Sequence, residues 1–208
     1  MNTGRFITLE GGEGAGKSTQ LRALAHAIRG MGLEVVETRE PGGSEGAEAI
    51  RTLLLTGGAD RWSPRAEALL FAAARADHIE KTIRPALERG AWVLSDRFLD
   101  SSRAYQGQGD LTDADIVTLH RIGSGGFLPD RTLILTLAEE QAADRARARD
   151  GDVADRIGGR DGAFHRAVGD AFRRFAATER DRVRAVDASG PVEQVTDRLL
   201  DAIADLLP

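Results

Sequence analysis

The sequence contains no cysteine, and this absence excludes several kinds of chemistry. Without thiols there can be no disulfide, no thiolate metal ligand and no cysteine nucleophile, and a reducing compartment is permitted. The histidines lie too far apart along the chain to suggest a metal cluster; they are His26, His78, His120 and His165. No apolar run approaches about 18 residues, and the N-terminus has no signal-peptide pattern, so we expect a cytoplasmic protein that does not span a membrane.

Basic residues are outnumbered by acidic ones, 28 against 33. The net charge of −5 argues against a general nucleic-acid-binding protein, so positive charge must be local wherever phosphates bind. Only two of the 28 basic residues are lysines, Lys17 and Lys81, and the others are arginines.

The length of 208 residues and the hydrophobic content of 41% fit one α/β domain that spans residues 1–208. Five apolar runs predict the strands Phe6–Leu9, Glu34–Thr38, Ala91–Ser95, Arg131–Leu137 and Val183–Asp187. Helical patterns lie between and after them, at Lys17–Met31, Glu45–Leu55, Pro64–Arg89, Asp113–Ile122, Glu139–Arg149, Ala163–Arg180 and Val192–Leu207. This alternation predicts a parallel sheet with helices on both faces and ligands at the carboxyl ends of the strands.

The stretch from Gly11 to Ser18 fits the phosphate-binding pattern G-x-x-x-x-G-K-[ST] between a predicted strand and a predicted helix. Glycines let the backbone approach phosphate oxygens closely, and the amides at the start of the helix point at the anion. Lys17 would contact the β/γ-phosphates of a nucleoside triphosphate, and the Ser18 hydroxyl would ligate Mg²⁺. The candidate phosphate-binding residues are Gly11, Gly12, Gly14, Ala15, Gly16, Lys17, Ser18 and Thr19.

The loop Thr38–Gly43 follows the second predicted strand. Its Pro-Gly-Gly sequence is typical of a simple turn. Arg39 and Glu40, however, lie at the carboxyl end of a strand, where their side chains could contact a bound substrate. Arg51 on the next helix would add a second guanidinium.

Phe71 and Arg75 lie four residues apart on the long predicted helix and therefore share one face. An aromatic ring beside a guanidinium could stack on a base and donate to its carbonyl edge. The alternative is a core phenylalanine with a solvated arginine.

Asp96 and Arg97 follow the third predicted strand and lead into the segment 101–107. A carboxylate at this place holds Mg²⁺ in phosphoryl-transfer enzymes, directly or through water, and the arginine could grip a second phosphate. A surface salt bridge is the simpler alternative.

An arginine-rich segment with interspersed glycines occupies residues 145–160. Nearby aspartates make a solvated helix face possible. The glycines suggest instead a lid that closes over the phosphates and supplies an arginine to the transition state.

Together these segments resemble the bacterial thymidylate kinase (dTMP kinase) family over most of the chain. The resemblance is carried by Gly11–Ser18, Thr38–Gly43, Leu70–Arg75, Ser95–Gly107 and the arginines of 145–156. It implies a P-loop fold with strand order 2-3-1-4-5, transfer of the γ-phosphoryl group of ATP to dTMP with Mg²⁺, and a homodimer.

The resemblance also implies residue roles. Phe71 would stack on thymine, Arg75 would donate to its carbonyl, Ser102 and Gln106 would read the pyrimidine edge, and Tyr105 would pack near the deoxyribose. The implied acceptor-site residues are Arg39, Pro41, Arg51, Phe71, Arg75, Arg97, Ser101, Ser102, Tyr105 and Gln106. The implied metal site is Ser18 with Asp96.

For catalysis the resemblance implies Glu13, Lys17, Arg97 and a lid arginine, because this P-loop carries none. Arg149 is the first candidate, with Arg147 and Arg156 in support at the donor. Gly158 and Gly159 depart from the family, in which a carboxylate often follows Asp155–Ile157.

Three other functions would each require different features of the sequence. A GTPase would need an Asn/Thr-Lys-x-Asp segment, and the only lysine outside the P-loop lies in Glu80–Ile83, which does not fit. A protein that binds ATP only for assembly would leave Asp96–Gln106 unexplained. A P-loop kinase for another nucleoside or nucleoside monophosphate is the remaining alternative.

Overall fold

A computed structural model describes residues 4–58, 60–138, 141–142, 145 and 156–208. The strands are β1 (Phe6–Glu10), β2 (Val35–Arg39), β3 (Trp92–Asp96), β4 (Arg131–Thr136) and β5 (Val183–Asp187). The helices are α1 (Lys17–Gly30), α2 (Glu45–Leu55), α3 (Pro64–His78), α4 (Arg84–Glu88), α5 (Leu99–Gln106), α6 (Asp113–Ser124), α7 (Gly162–Thr178) and α8 (Val192–Asp201).

The five strands form one parallel sheet in the order β2-β3-β1-β4-β5, which confirms the predicted fold. Alternate residues of a strand point to opposite faces, and β1 shows this clearly. Ile7 and Leu9 pack with α1 and α8 in one apolar cluster, whereas Phe6 packs with Ile79 and Phe98 in another. The sheet is therefore covered on both sides, and the strand ends are left as the place for a site.

Local signals explain where several helices begin. The Ser63 hydroxyl accepts from the amide of Ala66, and Pro64 supplies the preset φ of a first helical residue. Thr112 and Asp115 form a reciprocal capping box at the start of α6. These helix starts agree with the sequence prediction.

The predicted helix Pro64–Arg89 is interrupted. A π-helical segment, Ile79–Ile83, separates α3 from α4. The wider turn changes the phase of the helix, so that Arg75 and His78 form polar contacts while Ile83 and Ala86 pack in the core.

Two other predictions differ from the structure. Helix α5 was not predicted, because every residue from Leu99 to Gln106 is buried and the segment has no apolar stripe. The last helix ends at Asp201, and i→i+3 hydrogen bonds continue to Leu206. The predicted helix Glu139–Arg149 lies mostly outside the described residues. Within the described residues, no helix has both the length and the apolar composition that crossing a bilayer requires.

Candidate active site

The loop between β1 and α1 wraps around the amino end of α1. Gly11, Gly14 and Gly16 all have positive φ, at 133°, 72° and 87°. A side chain at Gly11 would be excluded, since its Cβ would lie 2.6 Å from the carbonyl oxygen of Leu135. The loop therefore presents main-chain amides and a helix N-terminus to one concave space, as an anion site requires.

Lys17 folds back across this loop. Its Nζ donates to the carbonyl oxygens of Gly11 at 3.1 Å and Gly12 at 2.8 Å, and the residue is 7% exposed. Burial, followed by the nearby Arg97 guanidinium, lowers the pKa of Lys17 to about 8. A phosphate that binds beside Nζ would stabilise the charged form.

Ser18 and Asp96 meet where α1 begins and β3 ends. The Ser18 hydroxyl donates to Oδ2 of Asp96 over 2.6 Å. Both groups offer oxygen ligands, which suit a hard divalent cation such as Mg²⁺. Among the described residues, no group of three or more His, Cys, Asp or Glu could hold a metal by itself, so phosphate oxygens and water would complete such a site.

One cavity of about 880 Å³ is lined by most of the predicted donor and acceptor residues, although Gly11, Gly12 and Arg156 do not line it. At the donor end it is lined by Glu13, Gly14, Ala15, Gly16, Lys17, Ser18, Thr19 and Asp96. At the acceptor end it is lined by Arg39, Pro41, Arg51, Phe71, Arg75, Arg97, Ser101, Ser102, Tyr105 and Gln106. The two ends belong to one continuous space.

Arg97 lies between the two ends in a strained conformation. Its φ is 71°, and it is the one non-glycine residue with positive φ in the described part of the chain. Its amide donates to the Leu9 carbonyl at 3.0 Å, and its own carbonyl accepts from the Ser95 hydroxyl at 2.7 Å. The guanidinium donates to Glu13 at 2.6 Å and to Ser101 Oγ at 3.0 Å. Such strain is typical of functional positions held by their surroundings.

Glu10, which the sequence analysis did not single out, supports this turn from behind. It is fully buried, and its carboxylate accepts from the Phe98 amide at 2.8 Å and from the Ser101 hydroxyl at 2.5 Å. Burial, together with the nearby Asp100 carboxylate, raises the pKa of Glu10 to about 7. The sequence feature that could have identified Glu10 is a charged residue at the end of an apolar strand, next to the P-loop.

Glu10 makes the stability depend on pH in a predictable direction. The folded protein retains a proton that the unfolded chain releases near pH 4.5, so stability falls as the pH rises from about 4.5 to 7. We expect the Glu10→Gln variant to lose this slope, because glutamine keeps the shape without the charge. At pH 8 it should be more stable than the parent by on the order of 1–3 kcal/mol.

Thermal or urea unfolding at pH 5, 6, 7 and 8 measures this effect. The other titrating groups are common to both proteins, so the difference between the two curves reports Glu10 together with its effect on the neighbouring Asp100. Parallel curves would contradict the assignment of a buried, protonated carboxyl group.

Arg75 is held rigidly beside the cavity, with only 3% of its surface exposed. Its Nε donates to Glu40 at 2.7 Å, and its Nη2 donates to the Phe98 carbonyl at 3.1 Å and to Ser102 Oγ at 2.7 Å. Arg75 is therefore not the solvated arginine of the alternative interpretation.

The residues after β2 form a more open part of the same wall. Arg39 is exposed and donates to both carboxylate oxygens of Glu48 at 3.1 Å. Arg51 donates to the Pro41 carbonyl at 2.7 Å. Two guanidinium groups thus flank the acceptor end.

A second buried carboxylate, Glu67, was also missed. It accepts from Arg156 at 2.5 Å, from Arg160 at 2.9 Å and from the amide Nε2 of Gln106 at 3.0 Å. Arg156 is buried there and also donates to the Leu54 carbonyl at 2.9 Å. The available signal was that Glu67 lies four and eight residues before Phe71 and Arg75, on the same helix face.

The two other arginines predicted to act from the lid, Arg147 and Arg149, lie outside the described residues. Arg145 lines the cavity, and its Nη1 lies 3.4 Å from the Ala188 carbonyl oxygen.

Comparison with known proteins identifies the family. The family model described as thymidylate kinase matches residues 9–199. The chain belongs to the thymidylate kinase family. This places it among the nucleoside monophosphate kinases, which are phosphotransferases.

Relatives in this family match along their whole length. A thymidylate kinase of Rhizorhabdus wittichii is 64% identical over 206 residues, covering 99% of both chains. One of Caulobacter vibrioides is 50% identical over 208 residues, covering 100% of this chain and 99% of that one. The crystal structure of thymidylate kinase from Ehrlichia chaffeensis superposes with a TM-score of 0.76 at 28% identity, covering 96% and 98% of the two chains.

Proposed function

We propose that this chain transfers the γ-phosphoryl group of ATP to the phosphate of dTMP, giving ADP and dTDP, as a step towards dTTP. The observation that carries the proposal is the single cavity that joins a P-loop to an aromatic, guanidinium-lined pocket, with Arg97 between them. Membership of the thymidylate kinase family supports the same reaction.

At the donor end, the loop amides and Lys17 bind the β- and γ-phosphates of ATP. Ser18 and Asp96 would hold Mg²⁺. When bound there, the metal ion neutralises charge on the β- and γ-phosphates. The oxygen ligands of this pair support the proposal.

At the acceptor end, Phe71 stacks on thymine and Arg75 donates to a base carbonyl. Ser102 and Gln106 face the pyrimidine edge, and Tyr105 packs near the deoxyribose. The fixed Arg75 guanidinium and the aromatic wall support this assignment.

Arg97 holds the acceptor phosphate in line with the donor, with Arg39, Pro41 and Arg51 along the same wall. Glu13, which pairs with Arg97, lies between the sugar hydroxyl and the phosphates. The acceptor phosphate is already anionic, so catalysis needs positioning and charge stabilisation rather than a strong base.

A lid at about 145–160 completes the single kinase domain in this proposal. Arg149 supplies the transition-state cation, and Arg147 and Arg156 support the donor. Arg156 contacts Glu67 in this structure and would have to leave it to reach ATP.

We further propose a cytoplasmic homodimer that binds neither nucleic acid nor a membrane. Exposed apolar side chains on α3 and α6, namely Leu69, Val117 and Ile122, support a subunit interface there.

An ADP-release assay with ATP, Mg²⁺ and a panel of nucleoside monophosphates tests the reaction. We expect dTMP to stimulate ADP release most, because the pocket offers a stacking ring and a fixed donor to a keto pyrimidine. If another monophosphate were the preferred acceptor, the alternative kinase would be correct. If no nucleotide stimulated ATP cleavage, the proposal would be refuted.

A further inference from the structure

Glu67 is a buried charge that the proposed reaction does not use. It lies on α3 and is 2% exposed, and it shares a helix face with Phe71 and Arg75. A buried carboxylate is costly unless it is paired. Arg156 and Arg160 both donate to Glu67, so its charge is compensated in place.

The same carboxylate fixes the amide of Gln106. A glutamine amide can present either its NH₂ group or its carbonyl to a neighbour, whereas an ionised carboxylate only accepts hydrogen bonds. The contact between Gln106 Nε2 and Glu67 Oε1, at 3.0 Å, therefore sets the NH₂ group towards Glu67. Within the described residues, nothing donates to the opposite atom, Oε1 of Gln106, and Gln106 lines the cavity.

An amide carbonyl in this position distinguishes pyrimidines by their edge. Thymine and uracil present an N3–H donor beside a carbonyl at position 4. Cytosine presents a lone pair at N3 beside an amino group. A carbonyl at Gln106 and the fixed donor of Arg75 match the first pattern and oppose the second.

We propose that Glu67 is a positioning residue that holds the Gln106 amide with its carbonyl towards the base, and that this orientation makes the acceptor pocket select thymine and uracil over cytosine. The inference rests on the proposed function, since it requires a pyrimidine monophosphate in this pocket. Glu67 itself touches no substrate.

The test compares kcat/KM for dUMP and dCMP in the parent protein and the Glu67→Gln variant at saturating ATP. These two substrates have the same sugar and lack the methyl group, so they differ only at the edge in question. Glutamine at 67 can accept or donate, so the Gln106 amide becomes free to turn over. We expect the dUMP/dCMP ratio to fall about 10- to 100-fold in the variant.

Glu80→Gln is the matched control, because Glu80 is exposed just beyond the same helix. It should leave the ratio unchanged. A purely structural role for Glu67 would lower kcat/KM for dUMP and for dCMP by the same factor. An unchanged dUMP/dCMP ratio in Glu67→Gln would therefore overturn the inference. A parent protein that uses dCMP as well as dUMP would also overturn it, while turnover of dTMP would leave the proposed function intact.

A second variant guards against misfolding. Glu67→Asp keeps the charge for Arg156 and Arg160 but withdraws the carboxylate from Gln106, so the ratio should again fall. The dUMP/dCMP ratio is interpreted for whichever variant, Glu67→Gln or Glu67→Asp, retains the circular dichroism spectrum of the parent protein. If the parent uses no pyrimidine monophosphate at all, the proposed function fails, and this inference fails with it.

Discussion

Replacing Lys17 with methionine should lower kcat by about 10³-fold, because methionine keeps the length of the side chain and removes its charge. Lys17 is a buried cation within the proposed donor loop, and its Nζ lies against the loop carbonyls. The developing negative charge would lose its fixed partner. Steady-state ADP release at saturating ATP and dTMP measures the effect.

The chain offers a matched control for this change. Lys81, the only other lysine, is exposed and pairs with Asp77 on the protein surface. Lys81→Met should therefore retain nearly full activity. A Lys17→Met protein with more than a tenth of the parental kcat would remove Lys17 from the proposed catalytic residues.

Replacing Arg97 with glutamine should lower kcat/KM for dTMP by about 10²–10⁴-fold and change ATP binding far less. The guanidinium lies between the P-loop and the acceptor end of the cavity, and its contacts with Glu13 and Ser101 hold it beside the proposed site of the acceptor phosphate. Glutamine cannot provide the charge or the two-pronged donor geometry. Kinetics with each substrate varied in turn, together with calorimetry of ATP binding, separate the two effects.

Arg173→Gln is the control for Arg97. Arg173 is exposed on α7 and pairs only with Asp170 at the surface among the described contacts, a kind of pair that contributes little. Near-normal dTMP turnover by Arg97→Gln, or an equal loss for dTMP and ATP, would contradict the acceptor-phosphate role.

The sequence was sufficient to predict the sheet and to select residues that mostly line one cavity. All five strands were predicted, because each is a short apolar run and β1 leads directly into the phosphate-binding pattern. Asp96 and Arg39 were assigned to strand ends, and the register pairs these two residues directly. Each of these features depends on a local residue pattern, so it can be predicted from a single sequence.

Features that depend on distant contacts were not predictable. The segment Leu99–Gln106 is helical although its buried face includes Asp100 and Arg103, which pair with each other and with Asp113 and Arg182. Polar side chains satisfied in this way produce no amphipathic stripe. The contact of Glu67 with Gln106 likewise joins residues 39 positions apart. Periodicity carries no information about such pairs.

The strained backbone at Arg97 limits how far the thermal stability of this protein can be raised without loss of activity. Asparagine or glycine would adopt the same φ more easily and relieve strain of about 1–3 kcal/mol, yet neither carries a guanidinium. A screen that rewards heat resistance alone would therefore enrich inactive sequences at this position. Directed evolution of thermostable forms should score turnover in every round.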